Sequence, residues 1–490
     1  MDKMLSSIRS EILDQIQPTD QENQKIKRIL SQIKEILKNY NKYHHNFRFD
    51  FISAQGSTGI KQTHLRHDSD IDLFIFLNPK DYEEVIEQDA KNRTKISALF
   101  RRLCDQWVIP ALKADDFEEV YIAYAEHPYV STRTEGYEVD IVFSFFLPEN
   151  YIQKKGPITA VDRTFYHSEF IQKNLGSTQL DDVRILKAFF KNNYSYGDKA
   201  PIARGGFIGY AAELLICYFG SIWNIFRNFH TLPYISVDFF NRSTDKLRKV
   251  PRFQNDFLLI MDPTDKMRNV AASISERAWI YCSKKIESFL KNPSIDSFFM
   301  NDPLSEINPE SKEINSHYVV IENVQISDSH YTKIRDKLYS IAESVKNVAS
   351  KEFDHSERFP SVEYSIYFDA IKKRFCIAFY TSKFHISDTY MRRGPKTDRQ
   401  RNFEKFKAKH PDLVIKEGYS YVEETRTYTN FLDLVSAEFK GRTFKEIEII
   451  NISIPKKYEF EESIRAVFVL KECILPYRIE LDHIVQMVIS

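Results

Sequence analysis

The stretch GSTGIKQTHLRHDSDIDLFIFL, Gly56–Leu77, decides the fold of this chain. Its last five residues, Leu-Phe-Ile-Phe-Leu, are apolar without alternation, the mark of a strand buried on both faces. Alternate residues of a strand share a face, so Asp70 and Asp72 stand on one side with Ile71 turned into the core between them. Two carboxylates that close repel unless they are solvated, protonated or bridged by a cation. Hard oxygen ligands select Mg²⁺ or Mn²⁺, and Mg²⁺ pairs one or two carboxylates with substrate phosphates. A third acid, Asp140 in YEVDIVF, opens its own apolar strand in the same way. Three such acids could hold two metals for in-line phosphoryl transfer.

Asp-Ile-Asp alone is commonly a solvated strand end. The loop before it changes that reading. Gly56-Ser57 follows the strand pattern FRFDFIS, whose Phe47, Phe49 and Phe51 alternate, and backbone N–H groups at such a turn can hold phosphate oxygens. Lys61 adds a counter-charge. A phosphate cradle, Asp-x-Asp and a distant strand-borne Asp together are far more specific than any one of them.

The chain has 490 residues, 42% of them hydrophobic, which suffices for several cores and excludes a disordered protein. Lys+Arg and Asp+Glu both total 69, so any nucleic-acid role rests on local basic clusters. Cys104, Cys217, Cys282, Cys376 and Cys473 show no zinc or disulfide spacing, which favours a reducing compartment. The charged N-terminus is not a secretory signal and no apolar run is long enough to span a bilayer. A cytoplasmic location is expected.

Thr19 and Glu22 have capping-box spacing at the head of a helix over 19–40, whose Ile26, Ile29, Leu30, Ile33, Ile36, Leu37 and Tyr40 form one apolar face. Helical and strand patterns then mix as far as about residue 155. Three helical stretches follow (TQLDDVRILKAFFKNN, GYAAELLICYFGSIWNIFRNF and VAASISERAWIYCSKKIESFL), and strands return from about residue 316. The expected fold is α+β and multidomain: an α/β head with a mixed sheet over 1–155, a helical middle domain over 156–298, and an α+β C-terminal body and tail over 299–490.

Gly-Ser followed by Asp-x-Asp resembles the nucleotidyltransferase superfamily of DNA polymerase beta. The resemblance narrows through YAEHPYVSTRTEGYEVDIV, AVDRTFYHSEFI, DDVRILKAFFKNNYSYG, GFIGYAAELLICYFGSI, MDPTDKMRNVAAS and RRGPKTDRQRNFEKF. In order and approximate spacing these are similar to blocks of the archaeal-type (class I) CCA-adding tRNA nucleotidyltransferases, while the last fifty residues match weakly. The resemblance implies template-independent completion of the tRNA 3′ end from CTP and ATP. It implies Asp70, Asp72 and Asp140 as catalytic carboxylates binding two Mg²⁺ ions, with Mn²⁺ as a substitute. Gly56, Ser57, Lys61, His167, Lys187, Tyr196 and Arg268 become nucleotide contacts, with Arg268 near the incoming base. It implies an RRM-like C-terminal body that grips the acceptor arm and TΨC loop, and it allows a homodimer.

Each carried-over residue also has a plain structural reading: His167 as a satisfied core histidine, Lys187 as a solvated charge, Tyr196 as a helix terminator, Arg268 as a helix-start charge. Two departures from the family pattern stand out. Lys61 occupies the usual place of an arginine, keeping charge but losing the bidentate fork. Gly59 makes the loop one residue longer. Two basic clusters balance the neutral total: Arg242–Arg252, with five positive charges and one negative, and Arg392–Lys409, with eight and two. The second coincides with a family block, so Arg392, Arg393, Lys396 and Arg399 are the expected RNA contacts, reading shape and backbone. The same scaffold also serves poly(A) tailing, nucleotide second-messenger synthesis, or an inactive RNA-binding protein. The last predicts a lost carboxylate, and none is lost here.

Overall fold

Helix Asp20–His44 opens with the expected capping box: the Thr19 hydroxyl accepts from the Glu22 N–H, and the Glu22 carboxylate accepts from the Thr19 N–H. Its apolar stripe then lies on the first core. The structure is a computed structural model describing residues 2–478, except 69, 93, 118, 300–302, 328, 330 and 370. The final segment of the expected C-terminal tail, 479–490, lies outside the described residues. The chain divides into two compact units, one of Met1–Ala200 with Gly205–Met300, the other of Pro201–Arg204 with Asn301–Asp482.

The first unit is built on a five-stranded sheet of β1 (Phe51–Gln55), β2 (Ile71–Leu77), β3 (Tyr121–Tyr124), β4 (Pro128–Thr134) and β5 (Tyr137–Phe145). The order is β1-β2-β5-β4-β3, with β2 and β5 parallel and the other neighbours antiparallel, so the sheet is mixed as expected. Ile71, Leu73, Ile75, Val139, Ile141 and Phe143 bury one face against Ile33, Leu37, Phe100, Leu103 and Trp107. Each such side chain contributes roughly 1.5–3 kcal/mol by leaving water. Ordering from the core side makes the opposite face of β2 and β5 rigid.

Two strand expectations shift. The alternation of Phe47, Phe49 and Phe51 suggests a strand from 47, but pairing starts at Phe51. Phe47 and Phe49 instead pack on the Trp107 ring, so their burial is real while their backbone stays irregular. Strand β4 carries no sequence signal of its own, because PYVSTRT is mostly polar; Ser131 and Thr132 are buried only once the sheet closes.

Helices Thr164–Asn174, Ser177–Asn192, Gly209–Phe219 and Glu276–Lys291 form most of the rest of this unit. The stretch GYAAELLICYFGSIWNIFRNF is two helices: Gly220, at φ +83°, ends the first, and the Ser221 hydroxyl accepts from the Asn224 N–H to cap the second. A small sheet of β6 (Ser236–Val237), β7 (Leu259–Asp262) and β8 (Asp265–Asn269) completes it.

In the second unit β9 (Tyr318–Gln325), β10 (Glu363–Asp369), β11 (Arg374–Tyr380) and β15 (Ile447–Ser453) make an antiparallel sheet of order β10-β11-β9-β15. Helices Tyr331–Ser350 and Phe431–Lys440 contribute to its core. The chain order β-α-β-β-α-β with this pairing is the ferredoxin-like, RRM-like arrangement. Between β11 and the second of these helices lies a three-stranded sheet of β12 (Thr389–Lys396), β13 (Val414–Lys416) and β14 (Tyr419–Thr425), with helix Gln400–Lys409.

Candidate active site

Register brings the acids together. Asp72 on β2 lies directly beside Asp140 on the parallel strand β5, with Gln55 of β1 and Ser131 of β4 as their outer neighbours. Asp70 sits one residue before β2 on the open rim, and its carbonyl accepts the Thr58 hydroxyl at 2.9 Å, which ties the loop to the acids. Gly56 adopts φ +66°, and a Cβ there would come within 2.1 Å of Asp72 Oδ2. The turn therefore needs glycine for its conformation and for its closeness to the carboxylate.

The electrostatics describe a site short of positive charge. Burial, then Asp70, push the Asp72 carboxyl up to about 6, with Lys61 opposing. Burial pushes Asp140 up to about 7, with Asp72, Glu138 and Asp70 adding to it and a hydrogen bond from Ser131 opposing. Asp70 is raised by the surrounding protein and by Glu138, although it faces solvent. Asp140 Oδ1 is buried with no partner, as are both amide atoms of Gln55 next to Asp72. Among the described residues no three acids, histidines or cysteines converge as a ready metal cage. Two adjoining carboxylates with an orphaned oxygen nonetheless fit a hard divalent cation whose remaining ligands are phosphate oxygens.

A second cluster joins the loop to the helices. Lys61 Nζ donates to Glu213 Oε2 at 2.8 Å, and Lys187 Nζ to Glu213 Oε1 at 3.1 Å. The Thr63 hydroxyl donates to the same Oε1 at 2.7 Å and accepts from Lys187 at 2.8 Å. Lys61, Thr63, Lys187 and Glu213 are all buried, so Lys187 is not a solvated charge. Arg184, one turn before Lys187, donates to the carbonyls of His64 and Gln62 and holds the loop from the same helix. The Tyr196 hydroxyl lies here too, since a Cβ at Gly209 would meet it at 3.0 Å and Lys187 Cε at 3.2 Å.

A third cluster centres on Asp262. Its Oδ2 accepts from Arg268 Nη1 at 2.8 Å and pairs with His167 Nε2 at 2.8 Å, while Oδ1 accepts from the Thr264 hydroxyl at 2.8 Å. Burial alone would raise this carboxyl; His167 and Arg268 instead hold it well below the usual range. The His167 ring stacks on Tyr210, centroids 4.1 Å apart. Arg268 stands on β8 rather than at a helix start.

The carried-over residues therefore gather as three groups in the first unit, while Arg392, Arg393 and Lys396 lie on β12, with Arg399 just before helix Gln400–Lys409, in the second. Arg392 donates to Glu424 at 2.6 Å and covers the exposed Phe353 ring at 4.6 Å; Arg393 lies over Tyr419 at 4.5 Å. Cavities of about 420 and 340 Å³ beside helix Asp20–His44 hold none of these residues. Thr63, Arg184, Glu213 and Asp262 are not singled out by the sequence pattern. The signal for Glu213 is a lone acid inside an apolar helix, YAAELLICYF, which demands a buried cation.

Two family models match: the nucleotidyltransferase domain over residues 24–167 and the second domain of tRNA nucleotidyltransferase over residues 181–299. With the register of Asp72 and Asp140 beneath the Gly-Ser turn, they define the class as a nucleotidyltransferase. The chain is 34% identical over 301 residues to a CCA-adding enzyme of Saccharolobus islandicus, covering 61% of this chain and 63% of that one. It is 27% identical over 463 residues to one of Methanocaldococcus jannaschii, covering 92% and 93%. It thus spans just under two thirds of the length of the first of these relatives. The chain carries a nucleotidyltransferase domain followed by the second domain of tRNA nucleotidyltransferase, and it is similar to archaeal CCA-adding enzymes. Among solved structures it is similar to the Cid1 RNA terminal uridylyl transferase (16% identity, TM-score 0.44, 61% of this chain and 99% of that one). It is also similar to E. coli CdnC with ATP (18%, TM-score 0.41, 60% and 94%).

Proposed function

We propose that this chain completes or repairs the 3′-terminal CCA of tRNA without a template, using CTP and ATP. The observation that carries the reading is the Asp72–Asp140 pair: adjoining carboxylates, both raised, one with an orphaned buried oxygen, pressed against a Gly-Ser turn. Such a pair favours a bound cation, and the turn offers N–H groups and the Ser57 hydroxyl to phosphates. Asp70, Asp72 and Asp140 would hold the divalent metal, Mg²⁺ first. When bound, it neutralises phosphate charge and lowers the pKa of the RNA 3′-hydroxyl.

The protein's own groups do the rest. Ser57, Lys61 and Lys187 neutralise the triphosphate, and Tyr196 bounds its pocket. Asp262 accepts from the His167 Nε2–H and from Arg268 and fixes the direction of both, so Arg268 presents its remaining N–H donors and His167 its other ring nitrogen, an acceptor, to the base or ribose. The 3′-hydroxyl gives up its proton to solvent, and its oxygen bonds to the α-phosphorus as the bond from that phosphorus to the α–β bridging oxygen breaks, releasing pyrophosphate. Catalysis is then chiefly positioning and charge stabilisation. The family's second domain supports tRNA as the acceptor, with Arg392, Arg393, Lys396 and Arg399 on its backbone. The head at 1–155, the middle domain at 156–298 and the body from 299 divide this labour. Among the described residues no helix is long and apolar enough to cross a membrane, and a cytoplasmic location is part of the proposal.

The test offers tRNA transcripts ending before CCA, after C and after CC, with Mg²⁺ and labelled CTP or ATP. Two C additions followed by one A, absent in chelator, are expected. Long A-tails, or label in a small product formed without RNA, would replace this reading with poly(A) tailing or messenger synthesis.

A further inference from the structure

Glu213 has no role in the reading above, yet it is the group on which the phosphate side of the site converges. It lies on helix Gly209–Phe219 and is 1% exposed. Its two oxygens receive Lys61, Thr63 and Lys187, drawn from the loop and from helix Ser177–Asn192. Lys61 also lies 4.6 Å from the centre of the Tyr210 ring. A buried carboxylate between two buried ammonium groups leaves one net positive charge, and each lysine is directed by an acceptor rather than left to its rotamers.

We propose that Glu213 is a positioning residue for the nucleotide triphosphate: it gathers Lys61 and Lys187 at the junction of the Gly-Ser loop and the helices, where their net positive charge attracts the phosphates. The inference rests on the nucleotidyltransferase reading and deepens it. Glu213 touches neither nucleotide nor RNA; it acts through the lysines.

The physical argument turns on Lys187. Burial pulls its pKa down, as do Lys61 and Arg184, and Glu213 is the opposing charge. The groups facing it are Lys61 and His64 from the loop, Arg184 from its own helix, Glu213 from the next helix, and the Tyr196 hydroxyl. Glu213 in turn is held down to about 2: burial would raise it, but Lys61 and Lys187 outweigh that. The carboxylate therefore stays ionised at any working pH. Replacing it by glutamine leaves an acceptor for the Thr63 hydroxyl while removing the charge. Lys187 then loses its proton at lower pH, and a neutral amine attracts no phosphate.

The experiment is CTP incorporation into a tRNA transcript ending before CCA, with the full chain and its Glu213→Gln variant. The expected result is a KM for CTP raised about tenfold with kcat changed much less, the signature of lost phosphate attraction. The basic limb of kcat/KM should move down by about one pH unit or more, since that limb reports the free enzyme. The tRNA Kd should stay at the wild-type value, and Glu213→Asp should return the basic limb toward its wild-type position. A merely structural role would lower activity at every pH without moving the limb. If Glu213→Gln does not fold, Lys61→Met and the Lys61→Met/Glu213→Gln pair decide, because the double variant restores the net charge of the cluster. A KM for the double variant above that of Lys61→Met supports the proposal, and equality overturns it. A folded Glu213→Gln with wild-type KM and wild-type basic limb overturns the proposal while leaving the enzyme reading intact. Wild-type protein that transfers no CMP overturns both.

Discussion

The acid face of the head and the charge clusters behind it are opposites. On β2 and β5, Asp72 and Asp140 stand together with raised carboxyls and an oxygen that nothing satisfies. On the helices and β7, Glu213 and Asp262 are buried more deeply than Asp72 and Asp140, which are half-buried, yet both are paired and held below their ordinary values. On the proposed function, the unpaired acids are the ones that take a ligand from outside the chain, and the paired ones hold cations of the chain itself.

The largest effect tests the unpaired side. Asp140→Ala should lower nucleotide transfer by at least about a hundredfold, by loss of charge stabilisation in the transition state. Filter binding of tRNA should change by less than about twofold, since a carboxylate contributes no attraction to RNA phosphate. Near-normal turnover would end the contrast drawn above.

On the paired side, Asp262→Asn leaves His167 and Arg268 without their carboxylate. Breaking a buried charge pair costs about 3–5 kcal/mol, readable in urea unfolding. The acid limb of stability sharpens the same point. Glu213 and Asp262 have folded values below their unfolded ones, so the unfolded state binds more protons as pH falls through the unfolded values. Their contribution is complete above pH 4.5, the ordinary value for glutamate, and fades downward, for Glu213 through about 2. In Glu213→Gln the slope of stability against pH between those limits should be shallower, which a series of urea melts would show.

A smaller effect is expected at the junction of the two regions. Gly56→Ala places a methyl where Asp72 Oδ2 now lies and strains a positive φ. Stability should fall by only about 1 kcal/mol, while turnover falls more than tenfold because the carboxylate is displaced. Smallest of all, Lys396→Ala should weaken tRNA binding a few-fold and flatten its salt dependence by about one counterion. An unchanged salt slope would remove Lys396 from the RNA surface.

Much of the head is legible in the amino-acid sequence alone. The Thr19–Glu22 box is a local device, set by neighbours three residues apart, and it forms as read. The shared face of Asp70 and Asp72 follows from the two-residue period of a strand and needs no partner. The side-by-side placement of Asp72 and Asp140 does not follow, because strand order and register belong to the sheet. Nor is β4 legible, since its burial pattern is imposed by β3 and β5 on either side. Phe47 and Phe49 show the reverse case, a strand-like alternation whose side chains find Trp107 without strand pairing.

The amino-acid sequence by itself determined the local pattern of the candidate residues, Asp70 and Asp72 on one strand face after a Gly-Ser turn and Asp140 at the head of a second apolar strand, because periodicity and turn chemistry act over a few residues. Only the tertiary structure decided how they are charged. Lys61 and Glu213 are 152 residues apart and His167 and Asp262 are 95 apart, yet each pair meets in a buried site. In the low dielectric there, two lysines override burial and hold Glu213 ionised, while Asp140, with a Ser131 hydroxyl but no cation beside it, is raised to about 7.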